Sequence, residues 1–206
     1  MQMPLRLERM IRMRNYKLNR ITSETAIDLD FTIDGSGASQ VDTGVGFFDH
    51  MLTLMTKHGL FDLQVTCAGD LEVDQHHSVE DIGIVMGQAF HQALAGKEGI
   101  TRYASVTSPM DEALATISLD ISGRSYLVYN VEGLKDKVGA FDTELVEEFF
   151  LSFVRHAGVT LHINLAYGKN THHIIESIFK GFGRALDQAS QKNERIKGVP
   201  STKGAL

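Results

Sequence analysis

Apolar residues recur every three or four positions in four stretches of the chain and at every second position in four others, and both kinds of stretch come in the same order twice. Phe47, Phe48, Met51, Leu52 and Met55 have helical spacing, and an offset of 98 carries them onto Leu145, Val146, Phe149, Phe150 and Phe153. An offset of 96 carries Ile82, Met86, Gly87, Ala89, Phe90 and Ala93 onto Ile178, Phe182, Gly183, Ala185, Leu186 and Ala189. Between these helices Phe61, Leu63, Val65 and Cys67 alternate with less apolar residues, as do Val159, Leu161, Ile163 and Leu165, which is the pattern of half-buried strands. Upstream, an offset of 88 lays Ile27, Leu29, Phe31 and Ile33 onto Ala115, Ile117, Leu119 and Ile121, and Glu24 onto Glu112.

Each half therefore reads strand, turn, strand, helix, strand, helix. The pattern predicts an α/β (α+β) protein of two pseudo-repeated ββαβα-like halves with sheets packed against helices. The halves run over about 13–98 and 99–190, join near Gly96 to Gly99, and precede a C-terminal tail over 198–206. The offsets change only at loops, where insertions are tolerated.

At 206 residues and 43% apolar content, the chain can bury a sizeable shared core. Its net charge of −6 and scattered basic residues exclude a nucleic-acid face. The exception is the run Arg6, Arg9, Arg12, Arg14, Lys17 and Arg20, and residues 1–12 are expected to form a disordered N-terminal extension. No run reaches the roughly 18 apolar residues of a membrane helix, and no apolar leader follows the first basic residues. Cys67, the only cysteine, lies in a strand pattern and reads as a small core residue. These features predict a soluble protein of the cytoplasm without membrane or nucleic-acid partners.

His76-His77 followed by Glu80 returns as His172-His173 followed by Glu176. A helix places residues three and four apart on one face, so either histidine can share a face with its glutamate. Adjacent histidines diverge, so each pair suits two metal ions better than one. His50 and Glu148 occupy matching places in the two upstream helices. The candidate ligands are thus His50, His76, His77, Glu80, Glu148, His172, His173 and Glu176, all nitrogen and oxygen donors. Such a set favours octahedral Mn2+, with Fe, Co or Zn as competitors, over a cysteine-rich structural zinc site. His58 and His156, which map onto each other at helix ends, are explained by the helix dipole. His91 and His162 lie on polar faces.

Pro200-Ser201-Thr202-Lys203-Gly204 offers hydroxyls, a cation and backbone NH groups to an anion, with phosphate the natural guest. Arg102, Arg124 and Lys180 are further candidates for that anion.

The motifs Thr22-Ser23-Glu24-Thr25, Gly46-Phe47-Phe48-Asp49-His50-Met51-Leu52, His58-Gly59-Leu60-Phe61-Asp62, His76-His77-Ser78-Val79-Glu80-Asp81, Asp111-Glu112-Ala113-Leu114, His172-His173-Ile174-Ile175-Glu176 and Ser201-Thr202-Lys203-Gly204 resemble those of the imidazoleglycerol-phosphate dehydratase family. The resemblance runs from about Met13 to Leu206. It implies the ribosomal S5 domain 2-like fold, two Mn2+ ions per active site and a 24-subunit shell with sites between neighbouring subunits. It also implies a hydro-lyase that converts D-erythro-imidazole glycerol phosphate into imidazole acetol phosphate and water in histidine biosynthesis. Glu24 is then the first candidate for acid/base work, with Glu80 and Glu176 as ligands or proton carriers. Arg102, Arg124, Lys180, Ser201, Thr202 and Lys203 would bind the substrate, together with Glu24. The chain departs from the family pattern at Glu148, where many relatives carry His, and at Thr202, where they carry Ser.

Two other classes fit parts of the sequence. A two-metal hydrolase uses similar His/Glu clusters, although His-Glu-x-x-His is absent. A non-catalytic metal-bridged scaffold would leave Glu24, Arg102 and the Lys203 tail without a role.

Overall fold

The computed structural model describes residues 14–206, so the extension expected over 1–12 lies outside the described residues. The first half contains β1 (Asn15–Ile21), β2 (Thr25–Thr32), β3 (Ser39–Asp42), α1 (Gly46–Gly59), β4 (Asp62–Gly69) and α2 (His76–Leu94). The second contains β5 (Tyr103–Met110), β6 (Ala113–Asp120), β7 (Tyr126–Asn130), the short pair β8 (Lys137–Val138) and β9 (Phe141–Asp142), α3 (Leu145–Ala157), β10 (Thr160–Tyr167) and α4 (Thr171–Ser190). The sheets follow one plan, with strand orders β1-β2-β4-β3 and β5-β6-β10-β7. In both, the last strand is parallel to its neighbour and the other pairings are antiparallel.

The helices and the alternating strands fall where the repeats put them. Each half has one more strand than the pattern predicts, β3 and β7, because a four- or five-residue edge strand buries too little to alternate clearly. The β8–β9 hairpin pairs within a segment that the first half lacks. It accounts for the change of offset from 88 to 98.

Ile27, Leu29 and Phe31 of β2 and Ala115, Ile117 and Leu119 of β6 point inward and are buried, while Asp28 and Asp30 alternate outward. α2 covers β1 and β2, α4 covers β5 and β6, and the helices meet across the halves, α2 on α3 and α1 on α4. Phenylalanines fill that junction: Phe48 lies against Phe149 at 5.3 Å and Phe90 against Phe153 at 5.9 Å between ring centroids. The two halves thus share one core.

Close helix contact depends on glycines placed symmetrically. A Cβ at Gly183 would lie 2.3 Å from the Met55 carbonyl oxygen, and one at Gly87 would lie 2.5 Å from the carbonyl oxygen of Phe153. Because the obstacle is backbone, it cannot turn aside as a flexible side chain could. Gly183→Ala is therefore expected to push α1 from α4 and lower stability by about 1–3 kcal/mol, the usual scale of overpacking. A denaturation midpoint equal to that of the wild type would show that the helices separate without cost.

Candidate functional site

Both histidine pairs sit in the first turn of a helix, α2 or α4, held there by matching side chains. An Asp74 carboxylate oxygen accepts the His76 N–H at 2.7 Å, and the Asn170 amide oxygen accepts the His172 N–H at 3.0 Å. In each pair the ring centroids are 6.2 Å apart and the ring planes nearly perpendicular, so neighbours in sequence face different surroundings.

In the second half, His172 Nε2 lies 3.3 Å from Glu176 Oε2. His50, from the start of α1, places its ring 5.7 Å from that of His172. Donor atoms of His50, His172 and Glu176 all fall within 4.8 Å of one another. Burial alone would raise the Glu176 carboxyl, but Lys180, with its Nζ 2.5 Å from Glu176 Oε1, and His172 bring it below its ordinary value. His173 turns away to Glu112, with Nδ1 2.7 Å from Oε2. Glu112 Oε1 accepts the backbone N–H groups of Asn170 and Lys169 at 2.7 and 3.2 Å. The hydrogen bond with His173, helped by these amides, draws the Glu112 carboxyl down to about 2 and raises the His173 imidazole.

In the first half, His76 Nε2 is 3.8 Å from Glu80 Oε2. His77 Nδ1 lies 3.0 and 3.1 Å from the two Asp70 carboxylate oxygens, and His77 Nε2 lies 3.8 Å from Glu24 Oε1. The Asp70 hydrogen bond raises the His77 imidazole above its ordinary value. Glu148 is half-buried in the first turn of α3, the place that His50 holds in α1. Among the described residues only His50, His172 and Glu176 converge as one group within 4.8 Å, so Glu148, His76 and Glu80 form no equally tight set. Two imidazoles and a carboxylate nevertheless match the donor chemistry of a first-row divalent ion, with coordination positions left for further ligands.

The anion candidates do not meet in one place. Lys180 pairs with Glu176 beside the histidines. Arg102 lies at the far end of α4, where its N–H reaches the Ala189 carbonyl at 2.7 Å. Its guanidinium bridges both Asp120 carboxylate oxygens at 2.8 and 3.2 Å and the Pro200 carbonyl at 2.8 Å. Arg102 thereby anchors the tail bearing Ser201, Thr202 and Lys203. Exposed Arg124 follows Gly123, and a Cβ on Gly123 would lie 2.7 Å from the carbonyl carbon of Leu206. From Glu176 to Ala189 the helix rises roughly 20 Å, at about 1.5 Å per residue.

Two of the histidines left out of the ligand set have backbone partners. His156 Nδ1 is 2.8 Å from the Ser152 carbonyl oxygen, and His91 Nδ1 is 3.3 Å from that of Ala157. Cys67 is half-buried against the core. Asp70 and Glu112 were not foreseen as histidine partners. The offset that carries Glu24 onto Glu112 was the available signal for Glu112, and nothing comparable marked Asp70. No described helix is long and apolar enough to cross a membrane.

A sequence profile described as imidazoleglycerol-phosphate dehydratase matches residues 43–186. The imidazoleglycerol-phosphate dehydratase of Oceanobacillus iheyensis is 66% identical over 94% of this chain and 100% of its own length. That of Acetivibrio thermocellus is 59% identical over 94% of this chain and 99% of its own. Among solved structures, the Staphylococcus aureus enzyme is 45% identical, with a TM-score of 0.79 over 87% of this chain and 99% of its own. The Pyrococcus furiosus enzyme, solved in complex with (S)-C348, is 36% identical, with a TM-score of 0.79 over 92% of this chain and 100% of its own. With a profile that spans both His-His/Glu elements, relatives matched over nearly their full length and solved structures of the same fold, the chain belongs to the imidazoleglycerol-phosphate dehydratase family.

Proposed function

We propose that this chain, a hydro-lyase of histidine biosynthesis by its family, dehydrates D-erythro-imidazole glycerol phosphate at sites completed between copies of itself. Mn2+ is its metal, two ions per site, in a 24-subunit cytoplasmic shell. The observation that carries the reading is the division of one chain's residues between two places. The cluster His50, His172 and Glu176 sits near the start of α4, while Arg102 and the Ser201–Lys203 tail lie at its other end. A small substrate cannot bridge roughly 20 Å, so a site that uses both sets draws them from different copies.

His50, His76, His77, Glu80, Glu148, His172, His173 and Glu176 would hold the two ions. Bound Mn2+ supplies positive charge that favours the deprotonated form of a coordinated imidazole ring. The substrate must lose a hydroxyl beside its ring and a poorly acidic carbon-bound proton. Glu24 takes the carbon-bound proton on its carboxylate in this reading, which is supported by its exposure and by its standing 3.8 Å from His77 Nε2 without a close hydrogen bond to that ring. Glu80 and Glu176 serve as ligands or as carriers of the proton that leaves with the hydroxyl as water. Arg102, Arg124, Lys180, Ser201, Thr202 and Lys203 hold the phosphate through charge-assisted hydrogen bonds.

The test is to supply the substrate to chelator-stripped protein before and after adding Mn2+, measuring imidazole acetol phosphate and free phosphate together. Mn2+-dependent ketone formation without phosphate release is expected. Phosphate release would favour a two-metal hydrolase, and metal binding without turnover a scaffold. In the same assay Lys203→Ala is expected to raise KM several-fold while kcat changes little. An unchanged KM would remove the tail from the phosphate site.

A further inference from the structure

The two halves treat their second histidine differently. In the second half, Glu112 occupies the Nδ1 side of His173 at 2.7 Å, and two backbone amides fix its other oxygen. Glu24 is the counterpart of Glu112 and His77 that of His173, so simple repetition would put Glu24 on His77 Nδ1. Asp70 is there instead, at 3.0 and 3.1 Å, and Glu24 faces the opposite ring nitrogen at 3.8 Å. The Asp70 N–H also donates to the Glu24 carbonyl at 3.1 Å, so the two residues are neighbours across the strand ends.

The second half has no room for such a carboxylate. Asp70 corresponds to Gly168, where a Cβ would lie 2.5 Å from Ile174 Cγ1 and 3.1 Å from Ala113 Cβ. The connection from β10 to α4 is also three residues shorter than that from β4 to α2. Only the first half can therefore supply a second carboxylate to its histidine.

We propose that Asp70 is a positioning residue that takes the Nδ1 side of His77 and so releases Glu24 for substrate, while Glu112 remains the positioning residue of His173. The proposal rests on the dehydratase reading for the task given to Glu24, but the hydrogen-bond exchange itself does not. Carboxylates behind metal-binding histidines fix ring orientation and tautomer, and their loss typically costs 10–100-fold in metal affinity or activity.

The test measures Mn2+ affinity of the full chain for Glu24→Gln, Asp70→Ala and the double variant, with Glu112→Gln alongside. Glu24→Gln alone is expected to leave affinity within about twofold of wild type. In the Asp70→Ala background, where Glu24 can move onto Nδ1, the same substitution is expected to lower it about tenfold, and Glu112→Gln alone to lower it about 10–100-fold. A melting midpoint and circular dichroism spectrum of Asp70→Ala equal to those of the wild type guard against a folding defect in that variant. An identical effect of Glu24→Gln in both backgrounds would overturn the exchange, as would Asp70→Ala leaving both affinity and turnover unchanged. Affinity needs no turnover, so a protein that binds Mn2+ but forms no ketone would count against the dehydratase reading alone.

Discussion

Removal of divalent metal is expected to abolish dehydration and reduce particle mass several-fold, with Mn2+ restoring both. Among the described residues a single chain brings only His50, His172 and Glu176 together as a group within 4.8 Å, fewer donors than the six of an octahedral ion. If a second copy completes the coordination, the metal is also a subunit joint, and binding that requires the assembled state stabilises it by mass action. Light scattering before and after chelation, with activity assayed on the same samples, reads both effects. A shell that keeps its full mass with all metal removed would assign assembly to protein contacts alone.

Protons should compete with the metal. The Asp70 hydrogen bond raises the His77 imidazole and the Glu112 hydrogen bond raises that of His173, so both hold protons at a higher pH than an ordinary histidine does. Only the neutral imidazole binds metal. Loading is therefore expected to weaken as pH falls through the range near and below neutrality, and to recover on returning to alkaline pH.

The core was legible in the sequence because helices and central strands each repeat one burial pattern over many residues. Phe149, Phe150 and Phe153 follow the spacing of a single helix face and are all buried in α3. Edge strands were not legible, since β3 buries only part of every second residue and so carries little alternation. The duplicated His-His/Glu elements pointed to candidate metal ligands, because a helix fixes neighbours three and four positions apart, and the structure groups two of them, His172 and Glu176, with His50. Their carboxylate partners Asp70 and Glu112 come instead from strand ends and loops, where contact depends on how the chain crosses itself. Nor does local spacing tell that Lys180 and Arg102 lie roughly 14 Å apart along α4, at about 1.5 Å per residue, which is what divides the candidates for anion binding.

Glu24→Gln is expected to lower turnover about 100- to 10,000-fold, the range for losing a general acid or base, with metal content intact. The structure separates this carboxylate from its counterpart in the other half. Glu112 is held by His173 and two backbone amides, which draw its carboxyl down to about 2 and so make it a weaker base than an ordinary glutamate. Glu24 has no such set of partners, is exposed and stands 3.8 Å from His77 Nε2. Glutamine keeps the size and one acceptor oxygen but cannot accept the carbon-bound proton as a carboxylate does. Turnover at saturating substrate, alongside metal content measured on the same preparation, decides the assignment. Loss of metal together with activity would make Glu24 a ligand or support for His77, whereas full activity with glutamine would move the proton transfer to Glu80 or Glu176.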